Sequence, residues 1–289
     1  MNQLRALGGA ATTHQLRMAG ATPPELRDAV REGVIRRLRP GVYVSPLLGG
    51  AALDAVLAGG RLSCVTASES YGLWAGTDRR THLLLPPNGH APPAEVVRHW
   101  RRCERHDELW RVSLADCLRS VARCADHETA VAVFDTALTA GVVTRSGLHD
   151  ILEDQPRAAR SRAEFARAGS DSGVESLVRQ RLEHAGRHVE QQVHVPGVGR
   201  VDMRVDGELY LEIDGFAFHS DRNAFERDRR RDAVLEARGD RRLRITASQV
   251  LREWAAVASV IDAALPIRPP SANSQQRRDH PGRSRCSPY

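Results

Sequence analysis

Val201-Asp202-Met203-Arg204-Val205-Asp206-Gly207-Glu208-Leu209-Tyr210-Leu211-Glu212-Ile213-Asp214-Gly215-Phe216-Ala217-Phe218-His219 is the stretch whose reading decides the fold of the C-terminal half of this chain. Apolar residues recur at Val201, Met203 and Val205, and again at Leu209, Leu211 and Ile213, the period of two half-buried strands around a turn at Asp206-Gly207. Both apolar sets must face one core, which sets Val205 opposite Leu209 across the loop Asp206 to Glu208. A one-residue slip would turn every side chain over, so this register also sets Asp202 opposite Glu212 on the other face.

Two carboxylates directly across a sheet repel each other unless a cation lies between them. A hard divalent ion, Mg²⁺ or Mn²⁺, takes one or two carboxylates with waters and phosphate oxygens, so Asp202 and Glu212 form a candidate metal seat; two solvated side chains on an exposed face are the alternative. Asp214, Gly215 and His219 add an acid, a permissive backbone point and an imidazole to the same strand end.

Asp202 with Glu212-Ile213-Asp214 resembles the Asp…(Asp/Glu)-x-Lys core of the PD-(D/E)XK nucleases, and Asp214-Gly215-Phe216-Ala217-Phe218-His219 resembles the Asp-Gly-x-x-x-His segment of very-short-patch repair endonucleases. The similarity covers roughly residues 170 to 255 and extends to bacterial proteins that carry such a domain behind a winged helix. It implies metal ligation by Asp202, Glu212 and the Ile213 carbonyl. The chain departs from the pattern in having no lysine at all, with Asp214 at the motif's lysine position. His219, with an unperturbed pKa of about 6.5, is the candidate substitute for proton transfer, or else a strand-end histidine packed beside Phe216 and Phe218. Asp221 stands where a repair-type enzyme has a second histidine.

Upstream, Ser172-Gly173-Val174-Glu175 opens an amphipathic helix with Val174, Leu177, Val178, Leu182 and Ala185 at helical spacing. The resemblance gives Glu175 a supporting role at the metal, while the Ser-x-x-Glu spacing gives it a capping box. Downstream, Arg222 to Arg238 reads as an arginine-rich helix ending at Gly239. A strand at Leu243-Arg244-Ile245-Thr246 and a helix from Ser248 to about Ala264 complete an α/β sandwich.

The N-terminal 45 residues hold seven arginines against Glu25, Asp28 and Glu32. Met1 to Leu7 reads as one helix, Thr13-His14-Gln15-Leu16 starts a second that ends by Gly20, and Thr22-Pro23-Pro24-Glu25 starts a third that stops at Gly33. Val34 to Val44 reads as a basic hairpin with Pro40-Gly41 at its turn. Three helices and such a hairpin predict a winged helix. Gly33 to Tyr43 resembles the wing of abortive-infection antitoxin regulators, which implies duplex DNA contacted by Arg27 and Arg31 of the third helix and by Arg36, Arg37 and Arg39 of the wing; a protein-contact module is the alternative.

With 289 residues, 41% hydrophobic and 27% charged, the chain reads as a multi-domain α/β protein: a winged helix (1–45), a mixed α/β middle domain (46–156), a linker (157–169), a restriction-endonuclease-like domain (170–265) and a disordered basic tail (266–289). No apolar run approaches the roughly 18 residues of a membrane span and no secretory signal is read, so the expected compartment is the cytoplasm, with no membrane partner. In the middle domain Thr66-Ala67-Ser68-Glu69 reads as a capping box, His82 to Pro86 as a buried strand, and Leu114 to Cys124 and Thr129 to Ala140 as helices. Cys64, Cys103, Cys117, Cys124 and Cys286 are odd in number and lack a Cys-x-x-Cys pair, which argues against disulfides and structural zinc. His82, His90, His99, His106, His127 and His149 show no metal spacing and read as ordinary packing or surface residues.

The function these readings imply is Mg²⁺- or Mn²⁺-dependent hydrolysis of DNA phosphodiesters, with Asp202, Glu212, Ile213, Glu175, Asp214 and His219 at the site. The competing class is a non-catalytic regulator, antitoxin-like and paired with a toxin, whose nuclease-like domain has lost its chemistry along with its lysine.

Overall fold

The computed structural model describes residues 2–86, 95–100, 103–104, 106–215 and 239–265. They form two compact units, Met1–Gln192 and Val193–Tyr289, of mixed α/β architecture.

The first unit opens with α1 (Asn2–Ala6), β1 (Ala10–Thr12), α2 (Thr13–Met18), α3 (Pro23–Arg31), β2 (Arg36–Arg39) and β3 (Val42–Val44). Thr12 with Gln15 and Thr22 with Glu25 form reciprocal capping boxes that start α2 and α3, and two prolines preset the first turn of α3. Gly33 ends α3 with φ +71°, a left-handed conformation that costs glycine nothing. The sheet runs β1-β3-β2, with Arg37 opposite Tyr43. Strand β1 was not expected: Ala-Ala-Thr is too short to show an alternation.

One side of this module buries Leu4, Ala11, Leu16, Leu26 and Ile35 together. Ala10, Val42 and Val44 instead pack with Val56 of α4 (Gly50–Leu57), with Leu109 and Trp110 against them. Gln15 Nε2 also donates to the Asp107 carbonyl at 2.6 Å, and Trp110 Nε1 to the Gly8 carbonyl at 2.9 Å. The first 45 residues therefore share a core with α4 and the Asp107–Trp110 segment.

Next come β4 (Arg61–Leu62), α5 (Cys64–Ser70), β5 (Thr81–Leu84), β6 (Val96–His99), α6 (Leu114–Cys124), α7 (His127–Thr139), α8 (Arg145–Leu152), α9 (Arg157–Arg160), a 3₁₀ turn (Ser161–Phe165) and α10 (Gly173–His184). The sheet order is β4-β5-β6, with β5 and β6 parallel. Helix α5 starts at Cys64, two residues before the expected Thr66 cap, because the Thr66 hydroxyl accepts the His82 N–H at 2.9 Å instead. Residues read as a bare linker are helical at 157–165, and Ala159, Ala163 and Ala166 enter the main core around Phe134, Leu118 and Leu148. Helices α7 and α10 are joined by a buried ion pair, Asp135–Arg179 at 2.8 Å. Ser176 Oγ and the Arg167 N–H also donate to the Asp135 carboxylate.

Strand β7 (Val189–Val195) runs into the second unit, followed by β8 (Gly199–Val205), β9 (Leu209–Asp214), β10 (Arg241–Thr246), α11 (Ala247–Arg252) and α12 (Trp254–Ala264). The sheet runs β10-β9-β8-β7, with β8–β9 antiparallel and β9–β10 parallel. Its buried face carries Met203, Val205, Leu209, Leu211 and Ile245, while Val201 packs with Val195, Val198 and Tyr210; Val250, Val257 and Ile261 of the two helices are buried too. The single helix expected from Ser248 to Ala264 is broken at Glu253, whose φ of −134° with ψ of 33° leaves helical geometry and ends α11, and α11 itself starts one residue early on a Thr246–Gln249 capping box. The helix expected at 222–238, His219 and the tail from 266 lie outside the described residues.

Candidate functional site

Asp206 (φ +51°) and Gly207 (φ +73°) both adopt left-handed backbone, which matches the twist of the flanking strands, and the Glu208 N–H closes the turn on the Val205 carbonyl at 3.0 Å. This turn sets the register Val205–Leu209, Arg204–Tyr210 and Met203–Leu211, as the apolar period requires. Beyond Met203 a side chain replaces the ladder: the Ile213 N–H donates to Asp202 Oδ2 at 2.8 Å. The Asp202 carboxylate therefore reaches across to the β9 backbone, one residue from Glu212.

Glu212 lies on the polar face yet is only 8% exposed. Strand β10 explains this. Arg244 pairs with Glu212 in the parallel register, and its Nε donates to Glu212 Oε2 at 2.7 Å, while Arg242 Nη2 reaches the same oxygen at 3.0 Å. Two guanidiniums thus neutralise the Glu212 carboxylate from the strand beside β9. Asp214 ends β9 half-buried, opposite Thr246, and Gly215 is exposed. For Ile213 the contact seen is through its N–H rather than its carbonyl.

Glu175 belongs to the first unit. Its N–H is capped by Ser172 Oγ at 3.2 Å, and its carboxylate accepts the Asp171 N–H at 2.9 Å and Gln192 Nε2 at 3.1 Å. It does the work of a helix cap. In the N-terminal module Arg27, Arg31, Arg36, Arg37 and Arg39 are all exposed, and Arg31 pairs with Asp28 at 2.8 Å.

Among the described residues, one group of three or more His, Cys, Asp or Glu side chains converges on a common point, and it is not the acids. Cys64, His82, His99 and Cys124 bring their donor atoms within 4.8 Å of one another. The fold straps them together: the Ser63 N–H donates to the His82 carbonyl at 2.9 Å, and the Leu85 N–H to the His99 carbonyl at 3.0 Å. His82 Nδ1 lies 3.1 Å from His99 Nε2 and 3.8 Å from Cys124 Sγ. The neighbouring Cys124 and burial push the Cys64 thiol up, while Cys64, His82 and His99 push Cys124 down. The four residues, read separately in the sequence as reduced cysteines and ordinary histidines, are brought together by the fold. They come from four different elements, so no local spacing announced them. The arginines on β10 did leave a signal: the alternation Arg242-Leu243-Arg244-Ile245 puts both on the acid face.

The C-terminal sheet, with acids at its strand end, and the basic N-terminal helices each match a family model. Residues 175–265 match the family REase_MTES_1575, a restriction-endonuclease-like domain. Residues 2–46 match AbiEi_4, described as "Transcriptional regulator, AbiEi antitoxin". No curated protein matches the chain. No described helix is long and apolar enough to cross a membrane.

Proposed function

We propose that the chain binds duplex DNA through residues 2–46 and hydrolyses phosphodiester bonds at the β8–β9 strand end. The order α1-β1-α2-α3-β2-β3 with its three-stranded sheet supports a winged helix, in which α3 enters the major groove and Arg36, Arg37 and Arg39 of the wing track phosphate. The observation that carries the catalytic reading is the Asp202 carboxylate bonded to the β9 backbone beside Glu212, with Arg242 and Arg244 on the same face.

The hard oxygens of Asp202 and Glu212 fit Mg²⁺ or Mn²⁺ in kind, with Glu212 releasing one guanidinium to join, and Ile213 and Asp214 adjoin them. A bound divalent ion supplies an acidified water and polarises the phosphoryl oxygen. The rest of the chemistry falls to the chain. Arg242 and Arg244 cannot carry a proton, because a guanidinium stays charged, but they stabilise the negative charge that develops on phosphorus oxygens and so take the electrostatic share of the missing lysine. His219 carries the proton, and Glu175 holds the helix that precedes the sheet.

A second reading has an observation of its own. Glu212 is already neutralised by two arginines, so a regulator in the manner of an antitoxin, with a toxin as partner, has no need of a metal there. Cleavage of plasmid and single-stranded DNA with Mg²⁺ or Mn²⁺ separates the two. Under the nuclease reading wild type cuts, Asp202→Asn does not, and His219→Ala is slower by roughly 10²- to 10⁴-fold. Wild type that binds a duplex but cuts nothing with either ion leaves the regulator.

A further inference from the structure

We propose that Cys64, His82, His99 and Cys124 bind one zinc ion in a closed, four-coordinate structural site within the first unit. Thiolate and imidazole together are the donor set of zinc rather than of Mg²⁺ or Ca²⁺, and four of them fill a tetrahedral shell and leave no open position for catalysis.

Geometry supports the ion. Ligands at about 2.0–2.1 Å (nitrogen) and about 2.3 Å (sulfur) from one zinc lie roughly 3.3 to 3.8 Å from one another at tetrahedral angles. The observed separations of 3.1 Å between the two ring nitrogens and 3.8 Å from His82 Nδ1 to Cys124 Sγ bracket that range. The farthest pair of the four donor atoms, within 4.8 Å, needs only a small contraction.

A further observation points to a ligand. His82 turns its other nitrogen, Nε2, to Asp78 Oδ2 at 3.4 Å, and Arg80 Nη2 donates to the same oxygen at 2.7 Å. A carboxylate behind a histidine fixes the tautomer and aims the lone pair of the facing nitrogen, the usual support of a zinc-bound imidazole. Cys64 has φ +50°, a left-handed conformation that a side-chain-bearing residue adopts at a cost of order 1–3 kcal/mol. Its strain is matched by two bonds to its carbonyl, from Ser68 Oγ at 3.1 Å and Cys117 Sγ at 3.4 Å, which hold the Cys64 turn in place.

The position explains what the ion would do. Cys64 opens α5, His82 lies in β5, His99 ends β6 and Cys124 ends α6. One ion would join two helices to two parallel strands, a cross-brace on a small sheet of two-to-four-residue strands. Cys64 and His82 are buried while Cys124 is exposed, so the site lies at the edge of the core with a way in for the ion.

The test uses the full-length protein, reduced and purified without chelator, with zinc measured by elemental analysis. About one equivalent per chain is expected. Cys124→Ala should lose it, while Cys103→Ala, an exposed thiol outside the group, and Asp202→Asn, in the acid site, should keep it. Should Cys124→Ala fail to fold, His99→Cys keeps a soft donor: with Co²⁺ in place of zinc, its thiolate-to-cobalt absorption should exceed that of wild type, and both should show the intense visible bands of tetrahedral cobalt. Wild type that holds no zinc and takes up no Co²⁺ after reduction overturns the site. So does undiminished zinc in folded Cys124→Ala and His99→Ala, and so does a Cys64–Cys124 disulfide that on reduction still refuses metal.

Discussion

The acids of the β8–β9 hairpin and the Cys/His group of the first unit solve the same problem in opposite ways. Each gathers groups that would rather be apart. At the hairpin the chain supplies its own compensation: a backbone N–H for Asp202 and two guanidiniums for Glu212. In the first unit two ring nitrogens and a sulfur face one another across 3.1 to 3.8 Å, with one buried thiol pushed up by its neighbour. The difference teaches where an ion matters for the fold: a site balanced by arginine stands without metal, whereas a soft site built from donors alone draws its stability from one.

The largest expected effect comes from that contrast. Zinc bound only by the folded state contributes its binding free energy to stability, so stripping it with a chelator should lower the melting midpoint of the chain by on the order of 10 °C or more. Calorimetry of metal-loaded and chelated protein measures it, and Mg²⁺ should not restore the loss. An unchanged midpoint would erase the contrast between the two sites.

The next effect concerns a third kind of compensation, the buried pair of Asp135 and Arg179, which are 0% and 2% exposed. Asp135→Ala removes one partner and leaves Arg179 with the Glu183 carboxylate and the Phe165 carbonyl, and breaking such a pair costs about 3–5 kcal/mol. Burial pushes the Asp135 carboxyl above its usual range despite Arg179, Ser176 and the Arg167 N–H. The folded state thus holds its proton to higher pH than the unfolded chain does. The stability linked to that proton is fully present below the ordinary aspartate value and is lost as pH rises through the raised one. In denaturant titrations the unfolding free energy of wild type should therefore fall relative to that of Asp135→Asn as pH rises across that window. A relative rise instead would mean that Arg179 outweighs burial.

How much of this could be read from the sequence depends on the range of the interactions. The hairpin was legible because its register follows from a period of two and a turn at Asp206-Gly207, all within a short stretch of chain. Helix α3 was legible through its Thr22 cap, α6 was read at its observed bounds, and α7 was read from Thr129, two residues inside its start at His127. The break at Glu253 was not, because Val250, Val257 and Ile261 keep one helical face buried on both sides of it. Thr66 misled because its hydroxyl serves strand β5 rather than a helix end. The Cys/His group was illegible for a general reason: its four residues lie on four elements at long, unequal intervals, and only the tertiary fold brings them together.

At the proposed wing the compensation would come from DNA itself. Replacing Arg36 and Arg37 by alanine should weaken duplex binding for every sequence alike and lower the slope of log affinity against log salt by about 2 if both contact phosphate. Point substitutions suit this better than removal of residues 1–45, which would strip Ala10, Val42 and Val44 from Val56 and damage the neighbouring core. An unchanged slope would assign the module to protein contacts.

The smallest stability effect is expected where the chemistry is proposed, and it completes the contrast. Asp202→Asn keeps an oxygen to accept the Ile213 N–H and removes one carboxylate from a face that already crowds Glu212 and Asp214. A single hydrogen bond of this kind contributes about 0.5–1.5 kcal/mol, and most of it survives the substitution, so unfolding free energy should shift by less than about 1 kcal/mol in either direction. Cys124→Ala should show the reverse pattern, a large loss of stability with the acids of the second unit untouched. Urea unfolding of both variants beside wild type, with and without zinc, measures the two shifts together. A large destabilisation in Asp202→Asn would mean that Asp202 is held for the fold rather than for a divalent ion, because a residue kept for catalysis has no reason to hold up the sheet.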